Sequence, residues 1–141
     1  MSDELYITGA GVSSASGIPT FRGEDGFWTI GSINYTPQEM ATRQMYLNNP
    51  GQFLLWYFKR FIAYKDAKPN AVHKWLSKKK LITQNIDGLD AKAGNESYIS
   101  IHGRLDKLVV YDDEMKLQTP INANWNEIDK NLNPDKLILS L

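Results

Sequence analysis

Leu5-Tyr6-Ile7-Thr8-Gly9-Ala10-Gly11-Val12-Ser13-Ser14-Ala15-Ser16-Gly17-Ile18-Pro19 is the stretch that decides the fold. Its first four residues are aliphatic, aromatic or β-branched, the composition of a short buried strand. Gly9 ends that strand, and Gly9-Ala10-Gly11 has the small side chains of a tight turn. Val12 to Ser16 reads as a helix entered through that turn, with a serine available as N-cap. Gly17 and Pro19 stop it early. A strand, a glycine turn and a helix in succession suit a dinucleotide pyrophosphate, which needs close backbone approach and N–H donors at a helix start. The match to GxGxxG is incomplete, because Ser14 stands at the third glycine. A simple strand-to-helix turn fits the same residues equally well.

Working outward, residues 20–36 hold Gly23, Gly26 and Gly31 among polar residues and read as a loop. Its Phe21, Phe27 and Trp28 suit closure over a ligand. Thr36-Pro37-Gln38-Glu39 has the spacing of a capping box and predicts a helix start. Pro50 to Lys65 is the most apolar helical stretch, and Ala71 to Lys80 reads as another helix with a cationic end that suits its dipole. Leu81-Ile82-Thr83 is a strand ending in Gln84-Asn85-Ile86-Asp87-Gly88. Ser97 to Ile101 is another, ending at His102-Gly103. Leu105 to Leu117 reads as a hairpin, with Leu108-Val109-Val110-Tyr111, an acidic turn at Asp112-Asp113-Glu114 and a return strand. Residues 118–131 are polar, with one helical turn near Trp125, and Leu137 to Leu141 has a buried-strand pattern. This order predicts an α/β protein built on a parallel sheet. The polar signatures after Thr8, Thr83 and Ile101 then fall at the C-terminal ends of strands, where open parallel sheets bind ligands.

Composition narrows the classes. The chain has 141 residues, 42% of them hydrophobic, which suits one domain with its own core. Sixteen basic residues balance sixteen acidic ones, so no electrostatic argument favours nucleic acid or an anionic membrane. With no cysteine, the sequence excludes disulfides, a thiol nucleophile, iron–sulfur clusters and thiolate zinc sites. Only His73 and His102 remain for a histidine metal site. No apolar run reaches the roughly eighteen residues of a membrane span. Met1-Ser2-Asp3-Glu4 lacks the basic and apolar regions of a signal peptide, so a cytoplasmic location is expected.

Four clusters could carry chemistry, and each has a plainer reading. Gly9-Ala10-Gly11 is a phosphate cradle or a tight turn. Arg22 clamps a phosphate or ribose beside a stacking Phe21, or it is a surface arginine beside a core aromatic. Gln84-Asn85-Ile86-Asp87 supplies amides and a carboxylate to hold a carboxamide, or Asn85 and Asp87 cap a turn. His102 is a base near neutral pH or a structural residue. His73 reads as a helix-packing or capping residue.

Together, Gly9-Ala10-Gly11-Val12-Ser13, Ser16-Gly17-Ile18-Pro19, Phe21-Arg22-Gly23, Thr83-Gln84-Asn85-Ile86-Asp87-Gly88-Leu89 and His102-Gly103 resemble the sirtuins, the NAD-dependent protein-lysine deacylases, in order and spacing. Pro69-Asn70-Ala71 with His73 is similar to that family's helix entry. The resemblance implies a partial Rossmann-like α/β domain. Residues 1–22, 70–103 and 132–141 would form its parallel sheet, 23–69 a helical and loop insertion, and 104–131 a cysteine-free hairpin module in place of the family's zinc module. It implies that Gly9, Ala10 and Gly11 hold the NAD pyrophosphate, and that Thr20, Phe21 and Arg22 belong to the cofactor loop. Gln84 and Asn85 would face the ribose, and Ile86 and Asp87 the nicotinamide carboxamide. His102 would be the general base, with Asn85 and Asp87 beside it among the catalytic residues. The implied reaction begins with attack of an acyl-lysine carbonyl oxygen on the nicotinamide ribose. It ends in nicotinamide, free lysine and acyl-ADP-ribose.

Tyr57 and Arg60 form a Tyr-x-x-Arg pair like that of sirtuins that remove acidic acyl groups, and Thr20 is similar to that subclass. A phenol and a guanidinium there would bind the carboxylate of succinyl- or malonyl-lysine. The plain alternative is a solvated arginine beside a core tyrosine. The sequence also departs from the family. It has no zinc cysteines, so no zinc is expected, and Asp90 replaces a common histidine. The chain ends at Leu141, before the family's substrate loop and remaining strands. An open sheet edge left in this way predicts self-association or a partner chain that completes it. The expected partners are thus acyl-lysine proteins, with no nucleic acid and no membrane. The rival readings are an NAD glycohydrolase or ADP-ribosyl transferase on the same scaffold, and an inactive truncated remnant.

Overall fold

The central strand of the molecule is flanked by parallel neighbours on both sides. In a computed structural model, which describes residues 3–20, 26–109 and 119–123, β1 (Leu5–Thr8), β4 (Lys80–Thr83) and β5 (Ile99–Ser100) form a parallel sheet in the order β1-β4-β5. Thr8 pairs with Thr83, and Thr83 with Ser100. Past the strand ends, Gln84 N–H donates to Thr8 O at 3.0 Å and Ile101 N–H to Thr83 O at 3.0 Å. Gly9, Gln84 and His102 therefore leave the sheet along one edge, as the sequence predicts for an α/β protein.

The two faces of this sheet differ. Leu81 and Thr83 are buried on one face. Tyr6 shares their face and meets the Trp75 ring edge-on at 4.9 Å. Trp75 lies on α4 (Ala71–Leu76), whose Leu76 is also buried. On the other face Leu5, Ile7 and Ile99 are 54%, 69% and 57% exposed. The buried strand expected at Leu5–Thr8 is therefore buried on one face only.

Several boundaries also move. The segment after the glycine turn is a 3-10 helix, Ala10–Ser16, with Gly9 as N-cap and no side-chain cap, so no serine plays that part. Gly17 closes it in the left-handed region at φ 85°, as expected of a glycine stop. α4 ends at Leu76, and Lys80 is already in β4, because the parallel ladder to Leu5 captures it. The strand expected over 97–101 is confined to Ile99–Ser100. β6 (Lys107–Leu108) pairs antiparallel with β7 (Ile121–Asn122). The return strand and acidic turn expected at 112–117, the turn near Trp125 and the strand expected over 137–141 lie outside the described residues.

The molecule divides into two compact units, one comprising Met1–Thr20 with Asp66–Ala123, the other including Phe21–Lys65. In the second unit the expected loop contains a hairpin, β2 (Trp28–Ile30) with β3 (Ile33–Tyr35). Gly31 takes φ 62° at its turn, a conformation that glycine adopts without strain. The Trp28 indole donates to Gln52 Oε1 at 3.0 Å, which anchors the hairpin to α3 (Pro50–Tyr64). α1 (Pro37–Met40) has the expected capping box. Glu39 N–H donates to Thr36 Oγ1, and Thr36 N–H donates to Glu39 Oε2 at 2.7 Å. α2 (Arg43–Asn48) has a simpler cap, in which Met45 N–H donates to Thr42 Oγ1 at 3.0 Å with no reciprocal bond from a side chain. Met40, Trp56 and Phe58 are the buried hydrophobic residues among the described residues of this unit. A side chain of that size contributes roughly 1.5–3 kcal/mol on burial.

Candidate active site

The glycine turn comes first in the chain. Gly9 and Gly11 have no positive φ, and a Cβ added at either would meet nothing within 4 Å. Neither backbone conformation nor internal packing therefore requires glycine at these positions. Bare backbone in front of a strand end is what close approach of a phosphate demands, so the turn fits a pyrophosphate. Asn85 holds it in place. The Asn85 Nδ2 donates to Gly9 O at 2.9 Å, and the Asn85 N–H donates to Thr83 Oγ1 at 3.1 Å. Thr83 Oγ1 in turn accepts from Thr8 Oγ1 at 2.8 Å. Asn85 is buried, Gln84 is exposed, and Ile86 is half-buried.

Asp87, itself half-buried, is the centre of a polar network that reaches the buried Ser13 and His73. Its Oδ1 accepts from Leu89 N–H at 2.9 Å, and its Oδ2 accepts from the Ser13 hydroxyl at 2.6 Å. Ser13 Oγ also lies 3.3 Å from His73 Nε2. His73 Nδ1 accepts from Asn70 N–H at 3.2 Å, so the proton belongs on Nε2, and His73 donates to Ser13. Asn70 ties the far side, donating from Nδ2 to Val12 O at 2.7 Å and to Ser16 Oγ at 3.0 Å. His73 is thus the capping and packing residue expected, and it also passes a hydrogen bond to Ser13. After these bonds each Asp87 oxygen still has a lone pair, enough to accept from a carboxamide N–H.

Asp90 lies one turn further on, on α5 (Leu89–Lys92), buried, with Oδ1 lacking a hydrogen-bond partner. Burial pushes its carboxyl above the usual carboxylate range; His73 opposes the shift and Asp87 adds to it. Burial raises the pKa of the Tyr98 phenol, and the nearby Arg104 opposes the shift. His102 is exposed in the turn after β5, where Gly103 N–H donates to Ser100 O at 3.1 Å. The sheet edge thus brings together Gly9, Ala10, Gly11, Gln84, Asn85, Ile86, Asp87 and His102. Thr20 is exposed. Phe21 and Arg22 lie outside the described residues.

Tyr57 and Arg60 belong to the other unit, on α3. The Arg60 guanidinium lies over the Trp56 ring at 3.7 Å, and Tyr57 packs edge-on against Phe53 at 4.8 Å and Trp56 at 4.7 Å. Burial lowers the Arg60 pKa to about 10, against the opposing influence of Tyr64 and Tyr57. The group stays charged at neutral pH in a partly dry, aromatic setting. A cation there gains more from a carboxylate partner than one in water.

Ser13, Asn70, Arg104 and Asp106 also contribute to this region, although the sequence assigns none of them a role in the site. Ser13 and Asn70 stand in the stretches that carry the family resemblance, without a role of their own there. Arg104 and Asp106 lie outside those stretches.

A parallel sheet with a glycine turn, an amide–carboxylate turn and a histidine along its C-terminal edge is the layout of a nucleotide-dependent α/β enzyme domain. The model of the Sir2 family matches residues 9–135, and the chain belongs to that family. It is 44% identical over 112 residues to the NAD-dependent protein deacylase of Aquifex aeolicus, covering 74% of this chain and 45% of that protein. It is 36% identical over 137 residues to the NAD-dependent protein deacylase of Aeropyrum pernix, covering 92% and 52%. Among solved structures it is similar to a Sir2 homologue in complex with NAD, with 35% identity and a TM-score of 0.68 over 84% of this chain and 46% of that one. The chain spans about half the length of the curated relatives it matches.

Proposed function

We propose that the chain supplies the nicotinamide and acyl-lysine side of an NAD-dependent protein-lysine deacylase, which removes acetyl and acidic acyl groups and yields nicotinamide and acyl-ADP-ribose. The observation that carries this reading is the Asp87 carboxylate, held from two sides at the sheet edge that also bears His102. Bound NAD would supply an anomeric carbon with nicotinamide as its leaving group. The Gly9–Gly11 backbone would lie against the pyrophosphate. Asp87 would accept from the carboxamide N–H and so orient the ring. His102, exposed beside it, would take a proton from a ribose hydroxyl. Arg60 and Tyr57 would receive the carboxylate of a succinyl or malonyl group. Thr20, Phe21 and Arg22 complete the proposed cofactor loop.

The proposed partners are acyl-lysine proteins, and the proposed compartment is the cytoplasm, which suits a chain without cysteine. No helix among the described residues is long and apolar enough to cross a membrane. The exposed sheet face carrying Leu5, Ile7 and Ile99 supports a further polypeptide, or a second copy, as part of the working enzyme.

Mass spectrometry of the chain with NAD and an acetylated or a succinylated peptide tests this. Acyl-ADP-ribose that disappears in His102→Ala is the expected product. ADP-ribose released without dependence on peptide would identify a glycohydrolase instead. No product from either peptide would mark an inactive remnant.

A further inference from the structure

Residues 86–88 are gripped from both sides of Asp87 by a single short segment. On one side Leu105 N–H donates to Ile86 O at 2.8 Å. On the other, Gly88 takes φ 72°, and a Cβ built on it would lie 3.5 Å from Arg104 Nη2, 3.8 Å from Nε and 4.0 Å from Cζ. Three guanidinium atoms at such similar distances mean that the group lies against the Gly88 face. It is fixed there by a fork. Arg104 Nε donates to Asp106 Oδ1 at 2.8 Å, and Nη2 donates to Asp106 Oδ2 at 2.6 Å. A bidentate pair of this kind restricts the guanidinium in orientation as well as position. The hydrogen bond to Asp106 also raises the Arg104 pKa.

We infer that Arg104, locked by Asp106, is a positioning residue that holds the Asp87 turn at a fixed place relative to the His102-Gly103 segment. Arg104 follows that segment directly, so one stretch of chain both carries the proposed base and braces the Asp87 carboxylate proposed to bind nicotinamide. Because Asp106 neutralises the guanidinium, the effect on Asp87 is geometric rather than electrostatic. The assignment of Asp87 to nicotinamide rests on the proposed function; the clamp itself does not.

The test uses Arg104→Met, Arg104→Lys and Asp106→Asn in the full chain. Without ligand, hydrogen exchange at Leu89 and Leu105 should accelerate by about tenfold in all three variants, while Ile82 and Phe53 amides keep their protection. Arg104→Lys should behave like Arg104→Met, since it keeps the charge and loses the fork. With ligand, NAD should bind about tenfold more weakly, and ADP-ribose, which lacks nicotinamide, within about twofold of the parent chain. Unchanged exchange at Leu89 and Leu105, or faster exchange at every amide, would overturn the clamp. Equal weakening of NAD and ADP-ribose would overturn its link to Asp87. A parent chain that binds neither compound would refute the proposed function, and the exchange measurements would still decide the clamp.

Discussion

The Asp87 network and the Arg60 site hold charged groups by opposite means. Asp87 is fixed by directed hydrogen bonds that join residues far apart in the chain, with Ser13 74 positions away. Arg60 is set by its own helix, one turn from Trp56 and beside Tyr57. The first arrangement fixes a carboxylate so that its remaining lone pairs point in defined directions. The second keeps a cation partly dry against aromatic faces. A network suits an invariant task such as gripping one carboxamide. A partly desolvated cation suits discrimination between substrates, because it favours only those that bring an anion.

Substitutions can sharpen or break that contrast. The largest effect is expected for Asp87→Asn, which replaces an acceptor-only carboxylate with an amide that also donates. Nicotinamide release should fall by about 10²–10³-fold, and equally for acetylated and succinylated peptides. A loss restricted to one peptide would mean that Asp87 reads the acyl group. Arg60→Met should lower desuccinylation by about 30-fold, equivalent to roughly 2 kcal/mol for a hydrogen bond to a charged group, and leave deacetylation nearly unchanged. Equal losses on both peptides would remove the carboxylate-binding role.

Ser13→Ala should cost about 1–3 kcal/mol in urea unfolding, because it strips one donor from Asp87 and leaves His73 Nε2–H unpaired in a buried setting. A change within about 0.5 kcal/mol, the range of ordinary surface substitutions, would show that the network does not hold the turn.

The smallest effect is expected at Asp90. Burial, opposed by His73 and reinforced by Asp87, raises its pKa in the folded chain. The folded chain therefore keeps this proton where the unfolded chain has lost it. Its contribution to stability is full below the unfolded pKa of about 3.9 and is lost as pH rises through the folded value. Asp90→Asn should flatten that decline in unfolding curves measured across the acid range, and at neutral pH the variant should be at least as stable as the parent. A steeper decline would reverse the assignment.

What was legible in the sequence follows the same division. The capping box at Thr36, the long helix at Pro50 and the strand ends at Thr8 and Thr83 rest on local spacing, and they stand where the residues place them. So does the Tyr57–Arg60 pair, which needs only one helix. The β2–β3 hairpin has the composition of a loop, because Gly26 and Gly31 outweigh two three-residue strands. The apolar run of Leu5–Thr8 has the pattern of a buried strand and does not reveal that one face is left uncovered. The Ser13–Asp87 bond and the Arg104–Asp106 grip on Gly88 depend on tertiary approach, and no spacing encodes them.

The most direct test of the central claim is a titration of nicotinamide alone into the isotopically labelled chain, followed through its backbone amides. Saturable shifts concentrated at Ser13, Asp87, Gly88 and Leu89 are expected, and they should be lost in Asp87→Asn. Shifts that centre elsewhere, or that persist in Asp87→Asn, would contradict that claim.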